Sequence, residues 1–338
     1  MKPCAIVILN WNGVRFLKEY IPILIERTPE ILTEIYIIDN ASTDESKDFM
    51  AQHYPQVIWI QNDKNHGFAG GYNEGLVHVK EPILCLMNSD IEVSEHWLEP
   101  ILNYFNEHAE VAAIQPKILD LKNKNKFEYA GGSGGYYDRF GYAVCRGRYF
   151  DYIEEDLGQY DDIKEIFWAS GCCIFVKNEV FKELQGFDAD YFAHQEEIDL
   201  CWRINNYGYK IMVIPQSVVY HFGGGSLPYG SYFKSYLNFR NSLFNLFKNL
   251  TRLQLFIILP TRMILDGVAA IHSIVQTKNI ITLKSILAAH IDFYKSIPKL
   301  IKKRNQIKHK GYPITTSKKL ILIDYYIYKC RKYSELLK

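Results

Sequence analysis

The sequence has no run of about twenty residues that is both apolar and free of charge; its most apolar window, 253–276, is broken by Pro260, Arg262, Asp266 and His272. A clean transmembrane span is therefore not expected there, and an amphipathic or interfacial helix pair is. Paired C-x-x-C spacing is absent too. The seven cysteines (Cys4, Cys85, Cys145, Cys172, Cys173, Cys201 and Cys330) are odd in number and sit mostly inside apolar runs. They are expected to be buried reduced thiols rather than a disulfide framework or a zinc site. The first apolar segment is not followed by G-x-G-x-x-G, which disfavours a nicotinamide-dependent oxidoreductase. Internal repeats and low-complexity tracts are missing. Met1-Lys2-Pro3-Cys4 leads straight into the apolar run 5–9 with no cleavable leader, so a cytoplasmic location is expected.

What is present is a chain of 338 residues, long enough for a catalytic core and an appendage. Its 48% hydrophobic and 23% charged residues are those of a folded protein with a core, which sets disorder aside. A net charge of +1 conceals an asymmetry: from Lys295 onward 13 Lys or Arg face only Asp324 and Glu335. A basic end of this kind fits an anionic membrane surface, and no nucleic-acid partner is expected.

In the first half, short runs rich in Ile, Val and Leu (5–9, 35–38, 57–60, 83–87) alternate with helix-length stretches (13–27, 42–53, 70–80). Ser42, Thr43, Asp44 and Glu45 read as the cap and first turn of the second helix. This alternation predicts a mostly parallel sheet with helices on both faces. Residues 127–165 are rich in Gly, Tyr and Asp and read as loops with short strands. A strand pattern returns over 166–176, a helix is expected over 195–207, and a further strand over 210–214. After Gly223-Gly224-Gly225 the composition turns helical, which places a catalytic domain at 1–225 and a helical, basic region at 226–338.

Ligands of open α/β sheets bind beyond the carboxyl ends of the strands. Three such ends carry Asn or Asp: Asn10-Trp11-Asn12-Gly13, Asp39-Asn40 with Ser42, and Asn88-Ser89-Asp90. One loop of this kind is an ordinary turn; three together point to a ligand site. Asp39 can accept from a base N–H or a ribose hydroxyl. The stretch from Asn65 to Asn73, with Gly67, Phe68 and Gly71, permits close backbone approach, and a helix starting near Gly70 would offer N–H donors to an anion. Asp90 can hold a hard divalent ion, with His221 as a second ligand. Glu196, Glu197 and Asp199 place three carboxylates within four positions, where like charges raise one another's pKa and a general base can arise. Glu196 and Asp199 share a helix face, Glu197 points elsewhere, and Arg203 pairs with Asp199 one turn on.

Together, residues 7–13, 38–42, 65–73, 86–90 and 196–203 resemble the family 2 glycosyltransferases, within them the bacterial rhamnosyltransferase-like branch. The resemblance implies a GT-A fold (a Rossmann-like, mostly parallel sheet flanked by helices) and an inverting enzyme that takes a sugar from a nucleotide-diphosphate donor. Asp39 would contact the base or ribose, assisted by Asn10, Asn12 and Asn40. Asn88-Ser89-Asp90 stands where the family has its Asp-x-Asp motif, with Asn88 in place of the first Asp. Asp90 and His221 would hold Mn²⁺ or Mg²⁺. Glu197 matches the family's catalytic Asp, one methylene longer, with Glu196 as the alternative base. Trp168, Gly171, Glu196, Asp199, Trp202 and Arg203 are candidates for the acceptor side. The expected acceptor is a glycan or lipid-linked glycan, met by a peripherally bound enzyme on the inner face of the membrane; a plain helical dimerisation domain is the rival reading of the C-terminal region. A nucleotidyltransferase is disfavoured because the Asn10 to Gly13 loop lacks that class's Gly-rich run followed by Arg and Lys. A catalytically inactive sugar-nucleotide-binding protein is the alternative function.

Overall fold

The computed structural model describes residues 1–223, 231–307 and 321–337. The chain opens with β1 (Cys4–Asn10), α1 (Val14–Glu26), β2 (Thr33–Asp39), α2 (Ser46–His53), β3 (Ile58–Gln61), α3 (Gly67–Leu76), β4 (Ile83–Asn88), β5 (Ile91–Val93), α4 (Glu99–Glu107) and β6 (Val111–Asp120). Strands β1 and β4 are apolar almost throughout because both of their faces are covered. In α1, Leu17, Tyr20, Ile21 and Leu24 recur at helical spacing and turn one buried stripe to the sheet.

Four short strands, β7 (Gly135–Tyr137), β8 (Ala143–Cys145), β9 (Arg148–Tyr149) and β10 (Tyr152–Ile153), make a small antiparallel sheet. Then follow β11 (Lys164–Glu165), β12 (Cys173–Lys177), α5 (Asn178–Glu183), α6 (Glu196–Asn206) and β13 (Lys210–His221). The main sheet has the order β11-β13-β6-β12-β4-β1-β2-β3, with β5 beside the end of β13. β1, β2, β3 and β4 run parallel, as do β6 and β13, while β12 is antiparallel to both its neighbours. The carboxyl ends of β1, β2 and β4 thus lie side by side.

The remaining helices are α7 (Tyr232–Asn249), α8 (Arg252–Thr277), α9 (Ile281–Gln306) and α10 (Ile321–Tyr326). Thr251 and Gln254 form a reciprocal capping box that starts α8. Helices α7, α8 and α9 pack on one another, and α7 also packs on α6. The chain end returns to the small sheet: Tyr149 Oη donates to Ile321 O at 2.7 Å, and Tyr333 stacks on Tyr136 at 5.8 Å. The C-terminal region is therefore packed into the fold. The boundary expected at 225/226 lies outside the described residues, as does part of the basic end. All seven cysteines are unpaired, and all but Cys330 are buried.

Several sequence expectations are corrected. The strand foreseen over 166–176 is only Cys173–Lys177, because Trp168 to Cys172 form a connection beneath the site. The strand foreseen over 210–214 runs on through a register shift to His221, which places that histidine in the sheet. Helix α2 begins at Ser46, not Ser42. Asp44 accepts from Ser46 N at 3.1 Å and from Val14 N at 3.0 Å, so it also satisfies a donor at the start of α1.

Candidate active site

The ends of β1, β2 and β3 are wired together by their own side chains. Asn10 Nδ2 donates to Asp39 Oδ1 at 2.9 Å and to Ser42 Oγ at 3.1 Å. Ser42 N and Gln61 Nε2 donate to Asp39 Oδ2 at 2.9 and 2.8 Å. Asp39 is thereby buried and fixed at the sheet edge. Asn12, with φ +51°, accepts from Thr43 N at 2.7 Å, and its own N–H donates to Ser42 Oγ at 2.8 Å. Gly13 is needed here, since a Cβ would stand 2.4 Å from Asn10 Oδ1. That oxygen is buried without a hydrogen-bond partner among the described residues, an acceptor left over at the end of β1. Trp11 beside it is exposed.

Asn40 faces the other way. Its amide donates to Asn65 Oδ1 and Gly67 O at 3.0 and 2.9 Å, and its oxygen accepts from Asn62 Nδ2 and His66 N. Gly71 leaves room for it, because a Cβ there would lie 2.8 Å from Asn40 Nδ2. The start of α3 does not present free donors to an anion, contrary to expectation. The helix begins at Gly67; Phe68 N and Ala69 N already donate to Phe192 O at 2.7 and 3.3 Å, and Gly67 N donates to Asn65 Oδ1. Asn73 exchanges hydrogen bonds with Phe187 N and O. Asn40, Asn65, Gly67, Phe68, Gly71 and Asn73 therefore tie together the loops beyond β2 and β3 and the loop before α6.

At the end of β4, Asn88 Nδ2 lies 3.4 Å from His221 Nε2, and Asp90 Oδ1 lies 3.2 Å from the same nitrogen. Ser89 sits beside the Gly13 turn. Glu128 Oε1 is 3.3 Å from the second ring nitrogen, Nδ1. Burial alone would lower the His221 pKa, but the two carboxylates outweigh it and push it up to about 10. Among the described residues no three His, Cys, Asp or Glu side chains converge on one point suited to a metal ion. Asp90 and His221 nevertheless supply a buried oxygen and a buried nitrogen aimed at each other. Asp90 offers the oxygen such an ion takes, and His221 would offer its nitrogen on giving up the proton that Asp90 and Glu128 hold there, with water and diphosphate oxygens completing the shell. Glu128, from the Gly- and Tyr-rich stretch, was not foreseen.

Segment 170–172 separates this pair from the acidic cluster. Asn88 N donates to Cys172 O at 2.9 Å, while a Cβ on Gly171 would lie 3.4 Å from Glu197 Cβ. Glu197 is half-buried, and its Oε2 has no hydrogen-bond partner among the described residues. Burial pushes its carboxyl up to about 7 although backbone N–H groups at the start of α6 pull the other way. Burial, followed by the neighbouring Glu197 charge, holds Glu196 well above the usual carboxylate range. Asp199 behaves oppositely. Burial favours its neutral form, but Lys248 at 2.8 Å and Arg203 at 2.9 Å outweigh this and hold it low. Environment thus sorts three neighbouring carboxylates: Asp199 is paired, Glu196 and Glu197 each keep an oxygen without a hydrogen-bond partner among the described residues, and Glu197 is the less buried of those two.

The structure brings Gly171 and Glu197 together but withdraws the other expected acceptor groups. Asp199 is 0% and Trp202 1% exposed, and Trp168, Glu196 and Arg203 are buried as well. Trp202 packs edge-on against Tyr137 and Phe167, and Trp168 Nε1 donates to Tyr136 O at 3.0 Å. Arg203 also donates to Leu184 O and Gly186 O. Their surfaces are spent on the core beneath α6, so none of them faces an acceptor.

The loop before α6 holds what the sequence reading missed. Phe192, His194 and Gln195 all have left-handed backbone, with φ +64°, +68° and +73°, a strained state for non-glycine residues. Helix α7 holds it from outside. Asn241 Nδ2 donates to Tyr191 O, Ala193 O and His194 O at 2.7–3.1 Å. One turn on, Asn245 donates to Gln195 O, and Asn249 donates to Asp199 Oδ1. The spacing Asn241, Asn245, Asn249 was legible as a polar stripe, but nothing local named its partner.

Residues 5–185 match the family model described as glycosyl transferase family 2, more than half of the chain. The N-acetylglucosaminyl-diphospho-decaprenol L-rhamnosyltransferase of Mycobacterium tuberculosis is 24% identical over 209 residues, covering 55% of this chain and 66% of that protein. The chain spans between 36% and 66% of the length of the curated relatives it matches. Among solved structures, S. aureus TarS 1-349 in complex with UDP-GlcNAc superposes with a TM-score of 0.58 at 14% identity, over 90% of this chain and 84% of that one. GalNAc-T7 with UDP, GalNAc and Mn²⁺ gives 0.54 at 19% identity, over 69% and 48%. The architecture is that of the GT-A glycosyltransferases.

Proposed function

Because the chain belongs to glycosyl transferase family 2, we propose that it transfers one sugar, with inversion, from a nucleotide-diphosphate donor to a hydroxyl of a glycan or lipid-linked glycan. The observation that carries the reading is Glu197: a half-buried carboxylate with an unsatisfied oxygen, pushed up to about 7, against Gly171 and across segment 170–172 from the Asp90–His221 pair. Asn10, Asn12 and Asp39 hold the nucleotide end. Asp90 and His221 would hold a divalent cation, which when bound neutralises charge growing on the leaving diphosphate. GalNAc-T7 was solved with that type of ion.

Glu197 accepts the proton of the acceptor hydroxyl as its oxygen attacks the anomeric carbon. The bond from that carbon to the diphosphate breaks on the opposite face, and the electron pair leaves with the nucleotide. A single displacement inverts the configuration. A base of this kind contributes about 10²–10⁴-fold. Glu196, 4% exposed, is the weaker candidate. By analogy with the mycobacterial rhamnosyltransferase, a dTDP-rhamnose-like or UDP-sugar donor and an envelope polysaccharide acceptor are proposed, with the enzyme on the inner face of the membrane.

The test is nucleotide release from UDP-, dTDP- and GDP-sugars with Mn²⁺, Mg²⁺ or EDTA. Slow hydrolysis of one donor, abolished by EDTA and by Asp90→Ala, is expected. Nucleotide-sugar binding with no turnover, even with candidate acceptors supplied, would instead mark an inactive binding protein.

A further inference from the structure

Helix α8 is built inside out. From Leu253 to Ile271 every exposed residue is apolar, among them Leu253, Phe256, Ile257, Ile264, Val268 and Ile271. Phe256 is 81% and Ile264 68% exposed. The two charged residues within that stretch turn inward. Arg262 Nε pairs with Asp266 Oδ1 at 2.9 Å, donates from Nη1 to Gly141 O at 3.0 Å and lies over the Tyr142 ring. His290 of α9 meets Asp266 from the other side at 3.2 Å. A helix on a water-facing surface has the reverse arrangement, with its apolar stripe on the core and its charges outside.

By length and composition α8 could cross a membrane, but its inward side carries a buried ion pair and packs on protein. Leu255, Ile258 and Leu259 pack on the main core, and Met263 packs on the cluster between α7 and α9. One long side is committed to protein along most of the helix, which spans about 39 Å at 1.5 Å per residue.

The surroundings of the stripe decide what covers it. Helix α9 adds exposed Leu287, Ile291 and Tyr294. Arg252, Lys278, Lys284, Lys295 and Lys302 are exposed around it. The only acidic residues of α8 and α9 are Asp266, buried as described, and Asp292, held by Tyr236 and Arg240. An apolar strip with a basic rim is complementary to anionic lipid. Two copies face to face would set like charges together.

We infer that the outward face of α8 seats in the headgroup region of an anionic bilayer, the helix lying in the membrane plane with the α9 lysines on lipid phosphates. This rests on the reading above only in supplying a reason for the location, a lipid-linked acceptor.

The experiment floats the full chain with phosphatidylcholine vesicles, with or without phosphatidylglycerol, at low and high salt. Flotation only with the anionic vesicles, weakened by salt, is expected. Phe256→Glu/Ile264→Glu should cut the bound fraction on the order of tenfold or more and leave donor hydrolysis in solution unchanged. Lys284→Glu/Lys295→Glu should weaken binding to the anionic vesicles alone. Equal flotation of wild type and Phe256→Glu/Ile264→Glu would overturn the assignment. So would a concentration-dependent dimer in sedimentation that this variant dissolves. Flotation as expected with no donor turnover would leave the lipid seat standing and remove the glycosyltransferase reading instead.

Discussion

The two sides of the site are rigid for different reasons. On the donor side, Asn10, Asp39, Ser42 and Gln61 come from adjoining strand ends and bond one another within the first 61 residues. On the acceptor side, the loop before α6 follows a course its own residues disfavour, and its carbonyls are met by Asn241 and Asn245, about fifty positions further along. The family match ends at residue 185, before Glu196. The proposed nucleotide contacts Asn10, Asn12 and Asp39 thus lie inside the match, while Glu197, the loop before it, the helix that holds that loop and His221 lie outside it. The proposed nucleotide contacts and the proposed base are in this sense separately supported.

If the division is right, Glu197→Gln gives the largest loss. Turnover should fall about 10²–10⁴-fold while nucleotide-sugar affinity in a calorimetric titration stays unchanged. In the wild type, kcat/KM should rise with pH through an acid limb near 7, because the carboxylate must lose its proton to act and burial holds that proton up to about 7. The limb reports the Glu196–Glu197 pair as a whole and should vanish from the residual activity of Glu197→Gln. A limb at an ordinary carboxylate pKa would remove the raised base from the mechanism.

Intermediate effects come from crossing the two sides. Asn241→Ala strands three loop carbonyls, at a cost of about 1–3 kcal/mol. Its kcat should drop on the order of tenfold to a hundredfold, with donor affinity held and the acid limb displaced as Glu197 loses its setting. Asp39→Asn should do the converse, weakening donor binding and sparing kcat at saturation. Equal damage to both parameters in both variants would break the comparison.

The smallest expected effect concerns Glu128, a positioning residue behind His221. Glu128→Gln should weaken Mn²⁺ binding about 10-fold, the lower end for a group orienting a metal-bound histidine. Nucleotide affinity measured in EDTA should not move. An unchanged Mn²⁺ titration would free Glu128 from that role.

The donor side was legible because polar residues at strand ends announce themselves within a few positions. Asn10, Asp39 and Asp90 stand where the alternation of apolar runs placed them, and the acidic start of α6 was visible as written. The reach of β13 to His221 was hidden by Pro215 and by a register shift that no local pattern marks. The anion site foreseen on α3 failed because its donors are taken by a carbonyl more than a hundred residues away, that of Phe192. Trp168, Trp202 and Arg203 looked like sugar contacts by residue type, yet burial was settled by partners across the core. Non-local pairing is what sequence spacing carries least well.

The bare backbone of Gly171 against Glu197 sets how far that position can grow. A methyl group there would lie 3.4 Å from Glu197 Cβ, an ordinary contact. Alanine is therefore accommodated at 171, whereas a longer side chain would compete with the carboxylate for the same space.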